Sequence, residues 1–234
     1  MIKTHTIIVG GGPAGSSCAW RLVLQGIDCL ILDKKPFPRE KLCAGWIPLQ
    51  VFKDLQISPH DYPHDLTTFD HFIVYWKNKQ LKIPVKQYAI RRVEFDNWLL
   101  ERSMANHVQH NVQNIRKEGP FYIIDDQFQC RFLVGAGGTF CPVYKNIFQP
   151  INPRCKEKLV VTMETEIQYN YKDPACRLWF LQNGLPGYSW YVPKINGYLN
   201  IGIGGYGEKL KANGDTIVKQ WQYFSSELKK TGLV

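Results

Sequence analysis

Apolar positions along the chain fall into two periods, and the elements they predict alternate. Thr4 to Val9 (THTIIV) is a short β-rich run that meets Gly10. Pro13 to Gln25 then shows helical spacing at Ala14, Cys18 and Leu22, and Gly26 supplies a helix stop. Ile27 to Leu32 (IDCLIL) is a second apolar strand. Strand, helix and strand in this order predict a parallel, right-handed unit, half of a mononucleotide-binding fold.

The pattern is less regular from Pro36 to Pro48 (PFPREKLCAGWIP), where proline and charge predict a loop over the C-terminal edge of that sheet. Phe72 to Trp76 and Gln80 to Val85 predict two strands joined by a Lys77, Asn78, Lys79 turn. Val93 to Asn106 carries apolar residues at Val93, Trp98, Leu99 and Met104 and predicts a helix. Phe121 to Ile124, the Asp125 and Asp126 turn, and Phe128 to Val134 predict a hairpin or meander that ends in the Gly135 to Gly138 loop. Further strands are expected at 159 to 167, 177 to 181, 187 to 193 and 199 to 203, forming a second, mainly antiparallel sheet. An amphipathic helix is expected over about Asp215 to Thr231, with Ile217, Val218, Trp221, Phe224 and Leu228 on one face.

Composition narrows the class. With 234 residues, 44% of them hydrophobic, the chain can bury the core of one large or two small domains. No apolar run approaches the roughly 20 residues that cross a bilayer. The first ten residues lack the features of a secretory leader. The seven cysteines are odd in number and form no CxxC pair, which disfavours a disulfide framework or a zinc knuckle. A cytoplasmic chain is expected. The formal charge of +9 would attract phosphates, on a cofactor, a prenyl diphosphate or a membrane surface, although the lysines are scattered. No nucleic-acid motif accompanies that charge. His60, His64 and His71 lie near Asp61 and Asp65, but PHDYPHD reads as a proline-rich surface loop, so no metal site is expected.

The chemistry begins at VGGGPAGSS. Gly10, Gly12 and Gly15 form GxGxxG between a strand and a helix, where the glycines permit a tight turn, backbone approach to a pyrophosphate, and close helix packing. Pro13 and Ala14 open the helix, whose N–H groups favour an anion. Asp33 ends the second strand, placed to accept hydrogen bonds from an adenosine ribose. A carboxylate there disfavours a 2′-phosphate, partly offset by Lys34 and Lys35, so FAD or NAD is preferred over NADP.

Five ordered motifs carry a resemblance. VGGGPAGSSCAWRL, PFPREKLCAGW, RRVEFDNWLLERS, LVGAGGTFCPV and GYSWYVPK together resemble the geranylgeranyl reductase family of flavoproteins, within the larger p-hydroxybenzoate hydroxylase-like group. The resemblance covers nearly the whole chain. It implies an α/β fold, a Rossmann-like FAD-binding domain (1–65 and 92–152) with an inserted, mainly antiparallel β-sheet substrate domain (66–91 and 153–234). FAD is the implied cofactor, with NAD(P)H or a small redox protein as electron donor. The implied activity is reduction of carbon–carbon double bonds in an isoprenoid or other apolar substrate by hydride from reduced flavin. A flavin monooxygenase of the same group, or a non-catalytic FAD-binding-like protein, is the alternative. Peripheral membrane association is compatible with such a substrate.

Residue by residue, the resemblance places Gly10, Gly12, Pro13, Ala14, Gly15, Asp33, Lys34 and Arg39 on the cofactor. Arg92, in the RxxFD pattern, would approach the flavin's linking portion, or would pair with Asp96 at the start of an ordinary helix. Gly135, Ala136 and Gly137 match the second flavin motif, with glycine at 137 where an aspartate is usual. Cys43, Ala44 and Gly45 match the loop that reaches the reactive face of the flavin. The Cys43 thiol would donate a proton to the alkene, or would only shape the pocket. Trp46, Tyr188 and Trp190 would contact substrate; aromatic strands are also commonly plain core. Family members carry a later Gly-Asp motif for the ribityl chain, and no segment after Leu210 matches it. An incomplete FAD cradle is therefore expected.

Overall fold

The computed structural model describes residues 1–234. In chain order, β1 (Ile2–Val9) leads through a glycine turn to α1 (Pro13–Leu24) and β2 (Cys29–Asp33). There follow β3 (Trp46–Pro48), α2 (Leu49–Asp54), β4 (Thr67–Trp76), β5 (Lys79–Ala89) and α3 (Arg92–Arg102). Next come β6 (Asn106–Gln109), β7 (Ile115–Glu118), β8 (Phe121–Ile124) and β9 (Phe128–Gly135). The last part holds β10 (Val160–Gln168), β11 (Cys176–Phe180), β12 (Gly187–Lys194), β13 (Tyr198–Tyr206), α4 (Gly207–Ala212) and α5 (Ile217–Lys230).

These elements form two units. The first, Met1–Glu40 with Val93–Arg154, holds a six-stranded sheet ordered β6-β2-β1-β9-β8-β7. Strands β6, β2, β1 and β9 run parallel, as a strand–helix–strand connection requires. Its central strands are buried on both faces: Ile7 and Leu32 pack with Ile124, Phe128 and Val143, while Ile8 and Ile31 pack with Ala19 of α1 and Leu100 of α3. The Asp125–Asp126 turn joins β8 to β9 with both residues at positive φ, the hairpin geometry that matches strand twist. The Asp125 carboxylate accepts from Asn114 N at 2.7 Å and pairs with His110 at 2.7 Å. Burial pushes this carboxyl up, but the Asn114, His110 and Gln113 donors outweigh it and hold it below the usual range.

The second unit, Lys41–Arg92 with Cys155–Val234, holds a seven-stranded sheet ordered β10-β13-β12-β11-β4-β5-β3. All its pairings are antiparallel except β11 with β4. One face packs Phe69, Phe72, Leu178, Trp190 and Val192 together; the other buries Tyr191, Leu199, Ile201 and Ile203 against Phe224 and Leu228 of α5.

Several sequence expectations are corrected here. Residues 41–65, expected with the nucleotide-binding part, belong to the second unit, because Trp46–Pro48 leaves the predicted loop to pair with β5. The helix expected to reach Asn106 ends at Arg102, where the chain turns through Met104 at positive φ into β6. Val218 is half exposed, off the buried stripe of α5. The short β6 and β7 and the six-residue α2 and α4 are too brief for a hydrophobic period to declare them. No helix is long and apolar enough to cross a membrane.

Candidate functional site

The first unit brings the two glycine loops side by side. Gly10 leaves β1 at φ +113, and a Cβ there would lie 2.5 Å from the Ala136 carbonyl oxygen. Ala136 N donates to Val9 O at 2.8 Å, tying the Gly135 loop to the end of β1. A Cβ on Gly15 would sit 1.8 Å from Gly10 O, so the helix rests directly on the turn. Gly12 differs. Its Cβ would meet only the Arg39 Nη2, at 3.3 Å, so the space beside the helix start is open except for a cation.

Asp33 braces this turn from below. Its carboxylate accepts from Gly11 N at 2.7 Å and from Lys35 N at 3.0 Å. Arg39 lies 3.8 Å from both Asp33 and the fully buried Asp96, with its guanidinium 4.7 Å above the Phe37 ring. Its Nε is buried without a hydrogen-bond partner. Helix α1 begins at Pro13 with no side-chain cap and no acidic residue in its first turn. An uncapped helix start, an open Gly12 and a cation with unused donors suit a pyrophosphate. A cavity of about 240 Å³ adjoins Asp33, lined by Phe37, Leu100, His107 and Gln109 among others. The residues present therefore fit the ADP half of a dinucleotide.

The other predicted cofactor residues have varied settings. Ala14 and Lys34 are exposed. Gly135 and Gly137 pack on Val143 and Cys141, which gives both a packing reason to be glycine. Arg92 opens α3 half-buried, one turn before Asp96.

Cys43, Ala44, Gly45, Trp46, Tyr188 and Trp190 all belong to the second unit. Gly45, at φ +74, presses on the backbone: a Cβ would lie 2.2 Å from Ile90 O, and Ile90 N donates to Gly45 O at 3.0 Å. The Cys43 Sγ accepts from Gly45 N at 3.4 Å. Lys194, fully buried, donates to Cys43 O at 3.2 Å and pairs with Glu166, whose other oxygen accepts from Arg91 Nε at 3.1 Å. Burial drives the Lys194 ammonium below its ordinary range, against the pull of Glu166. Burial likewise lifts the Glu164 carboxyl, opposed by Asn200, Lys194 and Lys41.

The three aromatic candidates have different settings. Trp46 stacks on Phe72 at 5.4 Å within the core. Trp190 is buried over Gly202, and its Nε1 donates to Asn200 Oδ1 at 2.7 Å. Tyr188 is 36% exposed and stacks on Phe180 at 5.4 Å. Burial raises its phenol, and the Cys43 and Glu164 charges add to that. Glu164, Glu166 and Asn200 lie outside the quoted motifs, and Lys194, the last residue of GYSWYVPK, was given no role there. One signal was present: Glu164 and Glu166 alternate with Met163, Thr165 and Ile167, which puts both acids on one face of β10.

Comparison with known proteins agrees with this geometry. The NAD(P)-binding Rossmann-like domain family matches residues 8–41. Digeranylgeranylglycerophospholipid reductase 2 of Methanopyrus kandleri is 24% identical over 218 residues, covering 87% of this chain and 55% of its own. Menaquinone reductase of Mycobacterium tuberculosis is 27% identical over 232 residues, covering 86% of this chain and 55% of its own. The solved structure of a geranylgeranyl bacteriochlorophyll reductase-like protein from Thermoplasma acidophilum superposes with a TM-score of 0.70 at 17% identity, covering 88% of this chain and 57% of that one. The chain thus spans about half the length of the relatives it matches. Along most of its length the chain is similar to geranylgeranyl reductase-like FAD-dependent oxidoreductases, and its first unit has their Rossmann-like fold.

Proposed function

We propose that this chain carries the ADP-binding cradle and part of the substrate surface of an FAD-dependent reductase that saturates carbon–carbon double bonds in an isoprenoid or similarly apolar molecule. The observation that carries the reading is Arg39: a cation with an unpartnered Nε, beside the open Gly12 at an uncapped helix start. Gly10, Gly12, Arg39 and the α1 N–H groups would hold the pyrophosphate, and Asp33 the adenosine ribose. Bound in reduced form, FAD would supply the hydride for one carbon of the double bond. The chain's own contribution is then a proton and an apolar surface. Cys43 Sγ holds the proton, on a loop fixed by Lys194 and by the Gly45–Ile90 backbone bond. Tyr188 presents the aromatic surface, with the buried Trp190 behind it.

Purified protein incubated with FAD and desalted should retain absorbance at about 450 nm, and Arg39→Lys should lose it. Failure of the unaltered chain to retain or quench flavin overturns the reading. With a prenylated substrate and dithionite as reductant, saturation should fall in Cys43→Ala while flavin retention stays unchanged. Oxygen consumption that depends on the substrate would instead make the chain a monooxygenase.

A further inference from the structure

The hairpin formed by β4 and β5 ends in a feature that neither flavin nor catalysis explains. Trp76, Leu81, Phe180 and Leu181, with Val74 at the base, line an apolar groove of about 360 Å³. Trp76 is 47% exposed and Leu181 56%, large fractions for such side chains in one contiguous patch. Leu181 holds a left-handed backbone, φ +57, in the turn after β11. An exposed leucine in a conformation that favours glycine or asparagine gains nothing from its own fold.

The turn end of the hairpin is basic: Lys77 and Lys79 follow Trp76, Lys79 lies opposite Trp76 on the groove's face of the sheet, and Phe72 to Leu81 holds no acidic residue. Lys77 Nζ lies 5.2 Å from the Trp76 ring centroid, and both lysines are exposed. Tryptophan flanked by lysines, around an apolar groove, matches the layering of a bilayer surface: acyl boundary, interface, phosphate. The uniform charge also disfavours a second copy of this face as the occupant.

We propose that the β4–β5 hairpin end seats this chain on an anionic membrane surface, with Trp76, Leu81 and Leu181 at the acyl boundary and Lys77 and Lys79 on lipid phosphates. The groove belongs to the second unit and shares no residue with the flavin cradle, so its test stands whether or not FAD binds.

The test is flotation with vesicles of phosphatidylglycerol and phosphatidylcholine, compared with phosphatidylcholine alone. The chain should float with the anionic vesicles and be released by high salt. Each lysine is worth about fivefold in partitioning, so Lys77→Gln/Lys79→Gln should weaken binding about 25-fold. Trp76→Ser/Leu81→Ser should weaken the binding that survives moderate salt. Lys229→Gln/Lys230→Gln, which removes an equally exposed pair on α5, should leave binding within about twofold. Unchanged thermal melting confirms that the variants fold. Equal binding to neutral vesicles, equal loss in the α5 variant, or a vesicle-free dimer dispersed by Trp76→Ser would each overturn the proposal.

Discussion

Each unit buries a cation among acids, and the two are held in opposite ways. In the second unit Lys194 has no exposed surface, bonds Glu166 and the Cys43 carbonyl, and shares Glu166 with Arg91. In the first, Arg39 stays 3.8 Å from each of its two carboxylates, beyond hydrogen-bond length, and leaves its Nε unused. A buried charge is costly unless its donors are filled. Lys194 meets that condition inside the protein and so acts as a clamp. Arg39 does not, and retains the donors a diphosphate would take. Satisfaction of hydrogen bonds, more than burial or charge, separates the structural cation from the one proposed to hold a ligand.

The largest effect that tests this contrast is at the clamp. Lys194→Met should lower unfolding stability by about 3 kcal/mol in urea titrations, because it strips a partner from the Glu166 network. Adding Glu166→Gln should recover a good part of that loss; no recovery would mean that Lys194 matters for shape and not for pairing. The glycines give the same contrast in backbone form. Gly15→Ala should cost about 3 kcal/mol, since its methyl would strike the Gly10 carbonyl. Gly12→Ala, with only the Arg39 tip nearby, should change apoprotein stability by less than about 1 kcal/mol yet abolish FAD retention.

A satisfied acid offers a pH signature. Asp125 has its carboxyl held below the unfolded value, so its contribution is present above about pH 4 and is lost as pH falls through the folded pKa. Asp125→Asn should cost about 1–2 kcal/mol at neutral pH, and the difference from the unaltered protein should shrink below about pH 4. A constant difference across that range would assign the loss to turn geometry instead. Arg39→Lys should have the smallest effect on folding, within about 0.5 kcal/mol, while weakening FAD at least tenfold in fluorescence titrations, because lysine cannot form the forked contact. A larger folding cost would show Arg39 to be a clamp as well.

Much of the fold was legible because its signals are local. The β1–α1–β2 unit, the Asp125–Asp126 turn and the strands β10 to β13 follow from periodicity and turn residues that act within a few positions. Strand β3 was not legible: three residues of a proline-rich loop become a strand only because β5 offers them a free edge. The same holds for the assignment of residues 41–65 to the second unit.

The sequence by itself determined the dinucleotide turn, since the GxGxxG spacing between strand and helix is local and Gly15 answers to the Gly10 carbonyl five positions away, whereas the crowding at Gly10 comes from Ala136. It also determined Asp33 as the residue that closes β2, and the alternation that lays Tyr188 and Trp190 on one face. Only the tertiary structure decided how the charges divide. Lys194 meets the Cys43 carbonyl 151 positions away, Arg91 meets Glu166 75 positions away, and Arg39 meets Asp96 across a chain reversal. Whether a buried cation is filled or waiting depends on distances of a few tenths of an ångström between such remote groups. No local period along the chain encodes them.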